Sequence, residues 1–408
     1  MKSTIVMFLA MNICFLWCTN PCTSSVKQEP RTLTDQEKRL VQSCNQFGFR
    51  LLAKVNQTEV GRNVFVSPFS VSTALGMALN GADGMTESAM LVTLGYAGTT
   101  KDEINGANYG LMQLLRELDP KVQLSIANSL WYRRDFVVEP QFIEVNRRYY
   151  EASVRGLNFG LPEAPQVINS WVDTSTHGKI QRIVPETITS DVVMYLINAI
   201  YFKGTWKYQF DKRATIDAPF YLAGGSTKQV KLMRRRVTLP YTENAGYQAI
   251  ELPYGDSLFT MVVVLPKPKE SVETFVNDLT QDSWKSLEGD LRVETGTILL
   301  PRFKLEFETG LNEPLKEMGM GTAFDRSADF TGISRDGGLC ISEVRHKTFV
   351  QVDEEGTVAA AVTSVRIGTS AYPQHQPFVM RVDRPFFFAI TERHTGELLF
   401  VGKVVDPE

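Results

Sequence analysis

The side chains that could act as nucleophile, base or metal ligand in this 408-residue chain include four histidines, five cysteines and scattered serines, and their spacing decides what they can do. His177, His346, His375 and His394 lie far apart, and none forms the His-Glu-x-x-His pair that sets two imidazoles on one helix face for zinc. Ser226 in Gly-Gly-Ser-Thr-Lys and Ser257 in Gly-Asp-Ser-Leu-Phe lack the Gly-x-Ser-x-Gly turn that presents a hydrolase nucleophile. Gly319-Met-Gly321 runs on to Phe324 instead of a third glycine, so it is no dinucleotide loop. Cys14, Cys18, Cys22, Cys44 and Cys340 fit no metal-site spacing. The expectation is therefore no enzyme, no cofactor and no metal.

The remaining chemistry is chemistry done to the chain. In Asp353-Glu354-Glu355-Gly356-Thr357-Val358-Ala359-Ala360-Ala361-Val362-Thr363-Ser364-Val365, every residue from Gly356 onward is small or β-branched, and alternate positions put Thr357, Ala359, Ala361, Thr363 and Val365 on one face. Such a face suits a crowded sheet. Arg366 to Pro377 then turns to Gly, Pro, Ser and Gln, the composition of an exposed, cleavable loop. A second apolar run, Met380 to Ile390, reads as one buried strand.

These segments need a frame, and the rest of the chain supplies an α+β one. A hydrophobic content of 43% with 22% charged residues describes a globular chain, and a net charge of -3 gives no reason to expect nucleic acid as the main partner. No Pro/Ser/Gly-rich linker divides residues 35–408, which read as a single domain after a short tail, 26–34. Lys2 followed by the apolar run Ile5 to Trp17 reads as a signal peptide, residues 1–25, cut near Ser24 or Ser25. The expected location is thus secreted and extracellular, or periplasmic or cell-surface in a bacterium.

Thr34-Asp-Gln-Glu37 has capping-box spacing ahead of the stripe Leu40, Cys44, Phe47 and Leu51, so the domain opens with an amphipathic helix. Ser67 and Ser70, at i and i+3, put two hydroxyls on one face. Asn108–Leu118 and Leu311–Met318 read as helical; Val122–Tyr132, Val192–Phe202, Leu258–Leu265 and Ile298–Phe307 read as strands, giving helices early and strands late. Cys44 on the stripe and Cys340 in a strand-like run are expected as buried free thiols. Asn56-Gln-Thr58 is a glycosylation acceptor sequence. Tight basic clusters occur at Arg133-Arg134, Arg147-Arg148 and Arg234-Arg235-Arg236. His346, in Val344 to Val350, is expected as a satisfied core histidine, and Glu354 has no partner of opposite sign within its own segment.

The stretch Glu354-Glu-Gly-Thr followed by alanines resembles the hinge and reactive-centre loop of the serpins, the serine protease inhibitors. Asn63-Val-Phe-Val-Ser-Pro-Phe-Ser70, Asn198-Ala-Ile-Tyr-Phe-Lys-Gly-Thr-Trp206, Asn169 to Ile180 and Gly402-Lys-Val-Val-Asp-Pro407 resemble four further family motifs in the family's order. The resemblance covers nearly the whole chain after the signal region. It implies one serpin domain with a large central sheet, smaller sheets and an exposed loop over about 354–383. It implies a suicide inhibitor of serine proteases, or else of cysteine proteases, that traps the acyl-enzyme by inserting its cleaved loop into the central sheet. A carrier, chaperone or storage serpin is the alternative.

The same resemblance assigns a hinge at Glu354, Glu355, Gly356, Thr357, Val358, Ala359, Ala360 and Ala361, with Val358 departing from the family's frequent glutamate. It assigns a polar shutter of Ser67, Ser70, Asn198 and His346, and a breach of Trp206, Arg302 and Glu354, with Arg302 the partner of Glu354 in a partly exposed pair. The family's spacing puts the reactive bond at Ser370-Ala371, with Thr369 and Tyr372 as alternatives, which favours an elastase-like or subtilisin-like target. The matching stretch from Lys101 to Asn105 is not basic, so a polysaccharide cofactor is not expected; a monomer with no membrane partner after signal removal is.

Overall fold

The structure, a computed structural model, describes residues 29–357 and 376–407. Chain contacts separate Met1–Arg31 from a compact unit over Thr32–Glu408. The signal segment, Val358 to Ala361, Thr369, Ser370, Ala371, Tyr372 and His375 lie outside the described residues.

In chain order the unit runs α1 (Asp35–Thr58), β1 (Val64–Val66), α2 (Pro68–Leu79), α3 (Gly84–Leu94), α4 (Lys101–Glu117), β2 (Val122–Arg133), α5 (Pro140–Tyr150), β3 (Ser153–Leu157), α6 (Glu163–Ser175) and β4 (Met194–Thr205). It continues through β5 (Ile216–Tyr221), β6 (Thr227–Glu243), β7 (Tyr247–Pro253), β8 (Phe259–Pro266), α7 (Val272–Asp278), α8 (Gln281–Asp290), β9 (Arg292–Pro301), β10 (Phe303–Gly310) and α9 (Asn312–Leu315). It closes with β11 (Arg345–Val352), β12 (Gly356–Thr357), β13 (Phe378–Arg381), β14 (Phe386–Glu392) and β15 (Leu398–Val404).

One sheet has the order β10-β11-β12-β4-β2-β3; the other runs β1-β15-β14-β8-β7-β6-β9-β13, with β5 on β6. The core lies where the first helices cover the second sheet. Thr34 caps α1 through a complete capping box, and its stripe buries Leu40, Cys44, Phe47 and Leu51. Phe65 of β1 stacks on Phe388 and Phe400 of β14 and β15 at ring separations of 5.3 and 5.1 Å. Strands β8, β14 and β15 are buried along their whole length, so they read as unbroken apolar runs.

Four expectations change. The run from Ile298 to Phe307 is not one strand: it breaks at Arg302, which leaves β9 in one sheet and β10 in the other. Met380–Ile390 likewise divides into β13 and β14, because Pro385 lacks the N–H a central strand must donate. Cys340 is exposed and outside any strand, while Cys44 is the buried free thiol that was expected. Asn56 is only 1% exposed, in the last turn of α1. Its Nδ2, the atom a glycan would occupy, donates to Asn277 Oδ1 at 2.9 Å and to the Glu273 carbonyl, so this packing has no room for a sugar. A helix pattern and a sequon simply coincide there.

Candidate functional site

The break at Arg302 explains where the site forms. Pro301 ends β9, the Arg302 amide donates to the Lys231 carbonyl at 2.8 Å, and the chain turns between sheets with the guanidinium beside the end of β11. Arg302 Nε and Nη2 donate to Glu354 Oε1 at 2.8 and 2.6 Å, and Thr215 Oγ1 donates to the same oxygen. Burial pulls the Glu354 carboxyl upward, but these bonds outweigh it and hold the group below its ordinary value. The pair is lopsided: the Glu354 side chain is 1% exposed and that of Arg302 41%. A partly exposed pair was expected; the exposure lies on the arginine alone, and the carboxylate is buried.

Trp206 completes this corner. It is 3% exposed, its Nε1 donates to the Asp353 carbonyl at 2.9 Å, and its ring stacks on Tyr254 at 4.3 Å with an interplanar angle of 11°. Asp353 Oδ1 accepts the amides of Glu355 and Gly356, and Glu355 is ion-paired with Lys212. The Trp206 amide donates to the Glu355 carbonyl and the Phe210 amide to the Glu354 carbonyl. Asp353 thus braces the turn internally, while the Glu354 and Glu355 carbonyls and side chains tie it to Trp206, Phe210, Arg302, Thr215 and Lys212.

The turn delivers β12 into the sheet. Gly356 faces Thr205 and Thr357 faces Gly204 on β4, while Thr357 also faces Val352 on β11. Gly356 has φ +148°, and a Cβ there would stand 2.1 Å from the Gly204 carbonyl oxygen, so only glycine fits. Thr357 is 2% exposed and its hydroxyl shares a 2.7 Å hydrogen bond with Tyr254. Among the described residues, Gly356 and Thr357 are the only ladder partners on the facing edges of β4 and β11.

Lower in the sheet the polar groups are sparser. His346, 5% exposed, accepts the Ser67 amide on Nε2 at 3.0 Å, which makes Nδ1 the protonated nitrogen. Burial pulls its pKa down to about 4, so the ring is neutral at neutral pH. Ser67 Oγ donates to the Leu399 carbonyl and accepts the Ser70 amide, capping α2. Asn198 does not join this group: its Nδ2 donates to Asn128 Oδ1 at 2.7 Å, across the β2–β4 pair, and Asn128 in turn donates to the Tyr150 carbonyl. The expected single cluster is two clusters facing one cavity. That cavity, of about 180 Å³, is walled by Ser70, Asn198 and His346 and by apolar groups including Leu75, Leu196 and Leu311. Asn198 Oδ1 has no hydrogen-bond partner in it among the described residues.

A two-residue strand between two strands whose facing edges have no other ladder partner among the described residues is the arrangement expected of a serpin, and the sequence agrees along its length. Residues 42–407 match the family model described as Serpin (serine protease inhibitor). The chain belongs to the serpin family. It is 35% identical to Iripin-2 of Ixodes ricinus over 375 residues, 90% of this chain and 94% of that one. An uncharacterized serpin-like protein of Thermococcus kodakarensis is 34% identical over 95% of this chain and 93% of its own. Native tengpin, a thermophilic serpin, superposes with a TM-score of 0.83 at 32% identity, covering 93% of this serpin and 96% of tengpin. Human thyroxine-binding globulin in complex with its hormone reaches the same TM-score, 0.83, at 28% identity over 91% of this chain and 99% of its own.

Tyr254, Thr215, Lys212 and Asn128 were not legible as site residues. Tyr254 and Thr215 sit in connections whose composition carries no signal, and Asn128 becomes a partner of Asn198 only once the β2–β4 register is known.

Proposed function

We propose that this serpin is a secreted suicide inhibitor of serine proteases, cut near Ser370-Ala371 and trapping the acyl-enzyme by extending β12. The observation that carries the reading is β12 itself: Gly356 and Thr357 lie between β4 and β11, whose facing edges have no other ladder partner among the described residues. After attack, the protease is an ester on the residue before the cut. Release of the downstream half lets Val358 and its successors add to the strand already begun. Each new ladder bond contributes about 1 kcal/mol net, so a dozen of them with apolar burial drive insertion by on the order of 10 kcal/mol. At ~3.3 Å per residue, about 14 residues carry the protease ~45 Å.

Nothing in the hinge from Gly356 to Val365 is Pro or charged, so the inserting face meets no steric or desolvation barrier. The small residues Thr369, Ser370 and Ala371 suit an elastase-like or subtilisin-like pocket. No described helix is long and apolar enough to cross a membrane, and residues 1–25 carry the signal pattern that would export the chain. The likeness to thyroxine-binding globulin supports a second reading, a carrier, which needs no insertion.

Incubation with pancreatic elastase, subtilisin, chymotrypsin and trypsin, followed by denaturing electrophoresis and mass spectrometry, separates the two readings. A detergent-stable band at the summed mass, with a new amino terminus at or beside Ala371, is expected. Clean cleavage by every protease with no such band would refute the inhibitor.

A further inference from the structure

The triple-arginine run that the fold itself does not use lies on the sheet that receives the loop's downstream end. Arg234 and Arg236 of β6 are exposed, and Arg235 between them points the other way, its guanidinium 6.0 Å from the Tyr208 ring. Across the sheet, Arg236 faces Thr297 of β9, which faces Val379 of β13; Arg234 faces Leu299, which faces Arg381. Directly opposed residues share a face, so Arg236, Thr297 and Val379 lie together on one outward surface, with Arg234 and Arg381 on either side of the buried Leu299. Arg381 on this surface is ion-paired with Asp383, but Arg234 and Arg236 have no carboxylate within ion-pair distance among the described residues. Val379 is 62% exposed beside them.

We infer that this face is a docking surface for an acidic patch on the attacking protease itself, a second contact outside the reactive bond. It rests on the inhibitor reading. Val379 lies eight residues beyond Ala371 along the chain, at most about 28 Å when extended. That is less than the roughly 40 Å width of a protease-sized domain, so an enzyme held at the loop reaches this face. Two unpaired arginines beside an exposed valine and Thr297 match the composition of protein interfaces, where arginine is enriched. A sulphated chain would want a longer track of free cations. Charge of this kind acts mainly on the encounter rate, so the surface selects among proteases with similar pockets by their surface charge.

The test uses the Ser370→Arg chain with anionic and cationic trypsin, which share a pocket and differ in surface charge. The readout is the second-order rate of loop attack, counting trapped and cleaved product together, at 20 and 300 mM salt (about one Debye length of ~20 Å and ~6 Å). Anionic trypsin is expected to react about tenfold faster at low salt, and Arg234→Glu/Arg236→Glu to bring the two enzymes within about twofold with an unchanged unfolding midpoint. Arg234→Gln/Arg236→Gln should fall between. Equal rates in the parent chain, or a preference that survives the charge reversal, overturn the surface. So does retention on heparin that the reversal abolishes without any difference between the enzymes, which reassigns the face to a polyanion. Trapping against cleavage is read on the same gel, so a chain that is only cleaved defeats the inhibitor while the rate comparison still judges the surface.

Discussion

The upper and lower ends of the path between β4 and β11 are built by opposite rules. At the top, Glu354, Asp353, Trp206, Thr215 and Tyr254 form a dense hydrogen-bond network around the turn and hold two residues of the hinge in the sheet. Lower down, His346 and Asn198 face the same 180 Å³ cavity without bonding to each other, and Asn198 leaves an oxygen without a partner among the described residues. A dense hydrogen-bond network fixes one geometry, whereas a partly satisfied, underpacked one has a better-bonded alternative. On the proposed mechanism the top would act as a latch that aims the strand, and the bottom would hold part of the free energy that insertion releases.

The sharpest way to break this contrast is at the latch. Thr357→Arg would put a guanidinium where Tyr254 now receives a hydroxyl at 2.7 Å, with 2% of the site exposed. The stable complex on a denaturing gel should vanish and be replaced by cleaved chain. Retained trapping would mean that the strand does not extend from this point.

A smaller effect is expected at the lower end. Burial depresses His346 to about 4, so its neutral ring stabilises the fold above pH 6.5, and that contribution is lost as pH falls toward 4. At about 1.4 kcal/mol per unit, the advantage of wild type over His346→Gln should shrink by about 3 kcal/mol across that range. The carboxyl of Glu397, raised by burial to about 8, gives both proteins the opposite slope and cancels in the difference. Denaturant unfolding at a series of pH values reads it; a constant difference would mean that the ring is not buried neutral.

The lopsided pair at the breach predicts an asymmetry. Arg302→Ala strands a buried carboxylate with Thr215 alone and should cost about 2 kcal/mol. Glu354→Gln leaves Arg302, 41% exposed, free to solvate and should cost less than half of that. Equal costs in chemical unfolding would contradict the burial difference.

The smallest effect is a gain. Ala74→Leu, on the α2 wall of the lower cavity, should fill part of it and raise stability by about 1 kcal/mol while increasing the fraction of chain cleaved without trapping. Higher stability with unchanged trapping would separate the cavity from the insertion drive.

Residue order alone fixed the family motifs, the α+β class, the first helix with its capping box, the apolar strands and the glycine at the hinge, because each depends on local composition or on periods of two and 3.6 residues. It also named Arg302, Trp206 and Glu354 as a group through the resemblance, though not that the carboxylate would be buried. Apolar pattern cannot register a change of sheet, so the break at Arg302, the separation of β13 from β14 and the exposure of Cys340 were out of reach. Tyr254 on Thr357, Thr215 on Glu354 and Asn128 on Asn198 join residues 103, 139 and 70 positions apart. Those contacts were decided only by the tertiary structure, since strand register and the turn between two sheets, rather than any local preference, bring such distant groups within hydrogen-bonding distance.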